Sequence, residues 1–252
     1  MAFKLIAVDL DGTLLRGDKT VSAYTWNILQ QTRERGIKVI VSTGRGFSVG
    51  KVVSLERFDG AVLNNGARAL THNGFVYSRL IANDTAKPFL LACHERGMKI
   101  SGQRDGTSYT NFNAEELWPW YKDYKQIDFD TFTGEAEKIY VPCMTPEDLT
   151  FIEKHLPEGL YVSVSRDFMA MIMHRDATKS RAVAALAAHW GIDAAEIAAF
   201  GDDLNDIDML TYAGTGVAMG NAVESVTAAA DFVCESNQDD GLAKWIEGNI
   251  LK

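Results

Sequence analysis

The chain is short of cysteine, of positive charge and of long apolar runs, and each shortage narrows what it can be. Its three cysteines, Cys93, Cys143 and Cys234, lie far apart with no paired metal spacing, so they read as small buried hydrophobes in a reducing compartment. The five histidines do not cluster either. No stretch approaches the roughly 18 apolar residues that span a bilayer, and Met1 leads straight into a short apolar strand rather than a charged leader with a long apolar segment. The expected location is therefore the cytoplasm. Lys and Arg number 25 against 34 Asp and Glu, a formal charge of −9, which opposes non-specific attraction to nucleic acid or anionic lipid. A free small substrate is the expected partner, with no nucleic acid and no membrane, and oligomeric state is left open. What is present is ordinary for a folded protein: 252 residues, 46% hydrophobic and 23% charged, enough for one large or two smaller domains at roughly 150 residues each.

Strand and helix periods alternate along the first third. Lys4 to Leu10 is a short apolar run, Val21 to Arg35 has helical spacing closed by Gly36, and Ile37 to Thr43 is a second β-branched run. A helix over Gly46 to Leu55 and a strand over Gly60 to Leu63, ending in Asn64-Asn65-Gly66, follow. Such alternation predicts parallel βαβ units. The rhythm then changes. A hairpin over Ala67 to Ile81 precedes a helix near Asp84 to Arg96 and strands near Met98 to Arg104 and Ser108 to Phe112. A second set follows: Glu115 to Tyr121, Ile139 to Met144, Glu147 to His155, Tyr161 to Ser165 and Met169 to His174. From Thr178 the α/β rhythm returns with an Ala-rich helix to Trp190, a strand over Ile197 to Phe200 and further units to the end. The fold class expected is α/β, a parallel Rossmann-like core sheet flanked by helices, with an inserted α+β cap. The core takes 1–82 and 169–252, the cap 83–168.

Four segments carry chemistry. In Asp9-Leu10-Asp11-Gly12-Thr13 two carboxylates stand two residues apart at the end of an apolar strand, where period two points both to one side. Carboxylates this close raise a pKa or recruit a hard cation such as Mg²⁺, although an acidic turn after a strand would show the same residues. Ser42-Thr43-Gly44-Arg45 puts a hydroxyl and free amides at a helix start, a seat for an anion; alone, Thr43 reads equally well as a cap. Lys179, in the first turn of the helix from Thr178, sits where the helix dipole disfavours a cation, which suggests a bound anion, or simply a solvated lysine. Gly201-Asp202-Asp203-Leu204-Asn205-Asp206 follows a strand at the edge where ligands of parallel sheets collect, and Asp206 also suits a helix cap.

Taken together and in order, these segments resemble the four motifs of the haloacid dehalogenase superfamily of phosphohydrolases. Ser42-Thr43-Gly44-Arg45, Asn65-Gly66-Ala67 and Gly201-Asp202-Asp203-Leu204-Asn205-Asp206-Ile207-Asp208-Met209-Leu210 look most like its Cof-type branch, whose large α/β cap follows the third core strand. The resemblance covers the whole chain. The insert is shorter than is usual for that branch, and Asp203 stands where Asn or another small polar residue is typical. The resemblance implies a Mg²⁺-dependent phosphatase acting on a small phosphorylated metabolite. Asp9 is then the nucleophile and Asp11 the general acid and base. Mg²⁺ is held by Asp9, Asp202 and the backbone carbonyl of Asp11, and the transferring group by the Leu10 backbone, Thr43, Gly44, Lys179 and Asn205. Asp206 orients Lys179 or a metal-bound water.

In the insert, Tyr109, Trp118, Trp120 and Tyr121 are candidates to stack on a substrate or, as spacing favours, to form the insert's own core. Arg45 and Arg104 are candidates to reach an anionic substrate, with ordinary surface roles as the alternative. Two other activities use the same residues. A phosphomutase would return the phosphoryl group to a rearranged product, but the mutases compared carry a helical cap between the first two motifs, where only Leu14 to Val41 stand here. A phospho-accepting switch needs a single α/β domain and leaves the insert unexplained.

Overall fold

The computed structural model describes residues 2–119, 122–164 and 168–252. The chain forms two compact units, 1–78 with 178–252, and 79–177.

In the first unit the apolar run at the N-terminus forms β1 (Leu5–Asp9), every residue buried. Next comes α1 (Ala23–Glu34), whose Ser22 cap accepts the Thr25 N–H at 3.0 Å. Then follow β2 (Lys38–Ser42), β3 (Gly60–Leu63), β4 (Arg68–Thr71) and β5 (Gly74–Ser78). The second unit holds α2 (Asn83–Glu95), β6 (Ser101–Arg104), β7 (Thr107–Thr110), β8 (Tyr124–Gln126), β9 (Lys138–Pro142), α3 (Pro146–His155), β10 (Leu160–Val164) and β11 (Met169–His174). The chain then returns to the first unit with α4 (Lys179–His189), β12 (Ile197–Gly201), α5 (Ile207–Tyr212), β13 (Thr215–Ala218), α6 (Glu224–Ala229), β14 (Phe232–Val233) and α7 (Gly241–Ile246).

The first unit is an α/β domain. Its sheet runs β14-β13-β12-β1-β2-β3-β4-β5, parallel from β14 to β3, with β4 and β5 added antiparallel. Alternate residues of each strand feed two apolar layers. Ile6, Val8, Val39 and Val41 face the one under α1 and α7, and Leu5, Ala7, Ile40 and Ala199 face the one under α4 and α5. Alanines on α4 let that helix lie close to the sheet. Strand order reverses between β1 and β12, and such a switch point opens a crevice at the carboxyl ends of the strands.

The second unit packs α2 and α3 on one face of a largely antiparallel sheet, β10-β11-β9-β6-β7-β8, through a core that includes Phe89, Ile139, Val141 and Ile172. It is wider than the expected 83–168, because β11 pairs with β9 and β10 and so belongs here rather than to the first unit. Among the described residues, the helices predicted over Gly46 to Leu55 and Glu115 to Tyr121 do not form. Over Gly46 to Leu55 only 3₁₀ turns form, at Phe47–Lys51 and Leu55–Arg57, where Gly46 and Gly50 weaken any helix. In Glu115 to Tyr121 a single 3₁₀ turn, Ala114–Glu116, gives way before Pro119, which disfavours helical backbone at Trp118. Tyr109 packs edge-on to Phe132 and Trp118 against Phe112, so both serve the unit's own packing. Arg104 is engaged by the Thr133 carbonyl and the Tyr109 hydroxyl. Trp120, Tyr121 and Ser165 lie outside the described residues. Among the described residues no helix is long and apolar enough to cross a membrane.

Candidate active site

β1 delivers Asp9 to the switch point. It sits opposite Ser42 in the β1–β2 register, and both side chains fall on the face covered by α4. The first residue of α4 is Lys179, fully buried. Its ammonium donates to Asp9 Oδ1 at 2.6 Å and to Asp206 Oδ1 at 2.5 Å. Burial alone would lower the Lys179 pKa, but the Asp206 and Asp9 carboxylates outweigh it and hold the ammonium above its usual range. Burial pushes the Asp9 carboxyl well up, with Asp206 adding and Lys179 opposing.

The loop after β12 closes the other side. Asp206 is completely buried, and its second oxygen accepts the Asp202 and Asp203 N–H groups at 3.0 and 3.1 Å. Asp203 caps the short turn by accepting the Leu204 N–H at 2.9 Å. Asp202 accepts the Thr13 hydroxyl at 2.9 Å. Its pKa is pushed up to about 6 by burial and by Asp206 and Asp203, against the Thr13 hydrogen bond. Gly12, at φ +91°, leaves the room that the Asp202 carboxylate occupies, since a Cβ there would collide with it. Among the described residues, Asp9, Asp202 and Asp206 each place a carboxylate oxygen within 4.8 Å of the others. Asp206 has both oxygens engaged, so Asp9 and Asp202 are the pair able to hold a cation.

Asp11 stands outside that cluster. Its carboxylate is clamped by Arg45, Nε to Oδ2 at 2.6 Å and Nη2 to Oδ1 at 2.7 Å, and by Lys19 at 2.9 Å. Burial would raise its pKa, but hydrogen bonds from Arg45 and Lys19 together bring it below the usual carboxylate range. Any part for Asp11 in holding a metal therefore falls to its backbone carbonyl. The Leu10 side chain is in the core, which leaves only its backbone to the site.

The loop after β2 supplies Thr43, buried, whose hydroxyl accepts the Arg45 N–H at 3.1 Å. Gly44 lies beside the Asn65 side chain, whose oxygen accepts the Asn205 Nδ2–H at 3.0 Å. Asp9, Asp11, Thr43, Gly44, Lys179, Asp202, Asn205 and Asp206 thus come to one end of one sheet, whereas Arg104, Tyr109 and Trp118 belong to the second unit. Reasoning from sequence counted Thr13, Asn65 and Arg45 among the motif residues but gave no site role to Thr13, Lys19 or Asn65, and saw Arg45 otherwise only as a possible substrate contact. For Asn65 the available signal was an Asn-Asn-Gly turn, the composition of left-handed backbone.

Residues 6–246 match the family described as haloacid dehalogenase-like hydrolase. Phosphatase YwpJ of Bacillus subtilis is 28% identical, covering 97% of this chain and 99% of its own. From the same organism, 5-amino-6-(5-phospho-D-ribitylamino)uracil phosphatase YcsE is 26% identical, covering 98% of this chain and 96% of its own. Among solved structures, a haloacid dehalogenase-like hydrolase from Bacillus subtilis superposes with a TM-score of 0.84 at 28% identity, covering 98% of this chain and all of its own. With the family matched over nearly its whole length, the chain belongs to the haloacid dehalogenase-like hydrolases and is a phosphohydrolase.

Proposed function

We propose that the chain hydrolyses small phosphomonoesters, sugar phosphates or similar metabolites, through an aspartyl-phosphate on Asp9 with Mg²⁺ as cofactor. The observation that carries this reading is the buried array of Lys179, Asp9 and Asp206 next to Asp202. It concentrates charges whose burial is costly unless a cation and an anion complete them. The named phosphatases among the relatives support a small phosphorylated substrate.

The donor set suits Mg²⁺, being hard oxygens only. Asp9 and Asp202 would hold it with the Asp11 carbonyl, and when bound it supplies positive charge that lets a carboxylate approach a phosphate. In the reaction, Asp9 attacks phosphorus in line while Asp11 gives a proton to the leaving oxygen. Asp11 then takes a proton from the water that hydrolyses the acyl phosphate. Because Arg45 and Lys19 hold Asp11 ionised, proton donation requires those contacts to loosen when substrate arrives. Lys179, Thr43, Gly44, Asn205 and the Leu10 backbone hold the phosphoryl oxygens, and Asp206 fixes Lys179.

The unit at 79–177 is assigned here to substrate selection, on the strength of its insertion into the catalytic unit. Deletion of the insert that left relative rates across a panel of phosphorylated sugars unchanged would remove that role.

Two substitutions test the chemistry. Asp9→Asn should form neither product nor phosphoryl-enzyme. Asp11→Asn should turn over an unactivated phosphomonoester about 10²–10⁴-fold more slowly, the usual worth of general acid–base catalysis. With an activated aryl phosphate it should accumulate the intermediate. Acid quenching and mass analysis of the Asp9 peptide decides, and phosphate on another residue would overturn the mechanism.

A further inference from the structure

The turn after β3 touches three of the segments that the proposed phosphate seat uses: the loops after β2 and β12 and the start of α4. Asn64, Asn65 and Gly66 all have positive φ, 50°, 53° and 100°, an arrangement two non-glycine residues adopt only where the surroundings impose it. Asn65 is 5% exposed. Its backbone N–H donates to the Thr43 carbonyl at 3.0 Å. Its side-chain oxygen accepts the Asn205 Nδ2–H at 3.0 Å and fills the space beside Gly44, 2.9 Å from where a Cβ would stand. The next residue, Gly66, is packed so tightly on the Thr178 backbone that a Cβ would collide with it, and Thr178 caps the helix that begins with Lys179.

We infer that Asn65 is a positioning residue: it fixes Asn205 and the Thr43-Gly44 loop so that donors from two separate strand ends converge on one phosphoryl group. The inference rests on the phosphate-seat reading above. Asn205 is itself exposed, and among the described residues its side-chain amide is anchored by Asn65. Without that acceptor its amide would sample other rotamers, and the donor would have to be ordered anew at each binding event.

The test is a double-substitution cycle read on inorganic phosphate binding by calorimetry with Mg²⁺ present, which needs no turnover, and on kcat/KM with p-nitrophenyl phosphate. Asn65→Gly keeps the left-handed backbone and removes the acceptor. It should weaken phosphate binding and lower kcat/KM about tenfold, the worth of one hydrogen bond, with an unchanged melting temperature. Adding Asn205→Ala should then cost less than about twofold more, because the two act as one unit. Asn65→Asp, which keeps the acceptor oxygen and tolerates this backbone, should restore the full cost of Asn205→Ala. An equal cost of Asn205→Ala in all three backgrounds would overturn the inference, as would parent-like phosphate binding by Asn65→Gly. A parent that turns over no phosphomonoester but shows the coupling in phosphate binding sinks the phosphatase reading and leaves the positioning role standing.

Discussion

Among the described residues two lysines are buried, one in each unit, and their chemistry is opposite. Lys179 lies between two carboxylates that more than offset its loss of water, and its pKa rises. Lys138, at the start of β9, has its pKa brought down to about 7 by burial, which Glu137 only partly opposes. Its ammonium also lies 4.7 Å from the Tyr140 ring. Burial is common to both, so the difference comes from what the neighbouring strands place beside them. β1 and the loop after β12 bring two acidic groups to one point because strand order reverses there. A buried ammonium with two partners is a fixed charge at every ordinary pH, whereas one with less compensation becomes a titrating group.

The largest effect should come from breaking the first case. Lys179→Met leaves Asp9 and Asp206 buried and facing each other, at a cost of about 3–5 kcal/mol of stability, as for any buried pair stripped of one member. Turnover should fall at least about 10³-fold with the loss of the phosphate's cation. Urea unfolding and steady-state rates measure both, and a stability loss under about 1 kcal/mol would show that the carboxylates had not relied on the lysine.

A smaller effect concerns Asp202. With its folded pKa at about 6, above the unfolded value of roughly 3.9, the folded metal-free protein binds the extra proton. Its contribution to stability is complete below about pH 4 and is lost as pH rises through about 6. A cation competes with that proton, so Mg²⁺ affinity should weaken up to about tenfold for each pH unit below 6. Calorimetric titration with Mg²⁺ between pH 5 and 8 checks this, and flat affinity would remove Asp202 from the metal site.

The last effect, read on stability alone, sharpens the second case. Lys138 has a folded pKa of about 7 against roughly 10.4 unfolded. Between those values the unfolded chain binds more protons, and stability should rise with pH. Lys138→Met should flatten that rise, and an identical slope in parent and variant, measured by denaturant unfolding from pH 7 to 10, would refute the shift.

The catalytic unit was legible in sequence because its central strands β1, β2, β3 and β12 are almost wholly buried and read as short unbroken apolar runs, each ending in a polar cluster. Asp9, Thr43 and Asp202 stand at those ends, so strand position brought them together, and Lys179 joins them from the start of α4. The Arg45 clamp on Asp11 was not legible, because a bidentate pair 34 residues apart depends on how two loops turn, which no period encodes. The same holds for Asn65 and Asn205, 140 residues apart. In the second unit, the strand Tyr124–Gln126 carries no apolar alternation and went unseen, and β11 was read into the wrong unit because its partners, not its pattern, assign it.

The split of the catalytic unit around the insert also has a consequence in time. Asp9 meets Lys179 across 170 residues, and Thr13 meets Asp202 across 189. At roughly 5–20 residues per second of synthesis, some ten to forty seconds separate the emergence of β1 from that of β12. Throughout that interval β1 has an open edge on one side, available to any other unpaired strand. The insert, with its own apolar core, can fold during the wait, whereas three of the eight strands of the catalytic sheet come only from the last quarter of the chain.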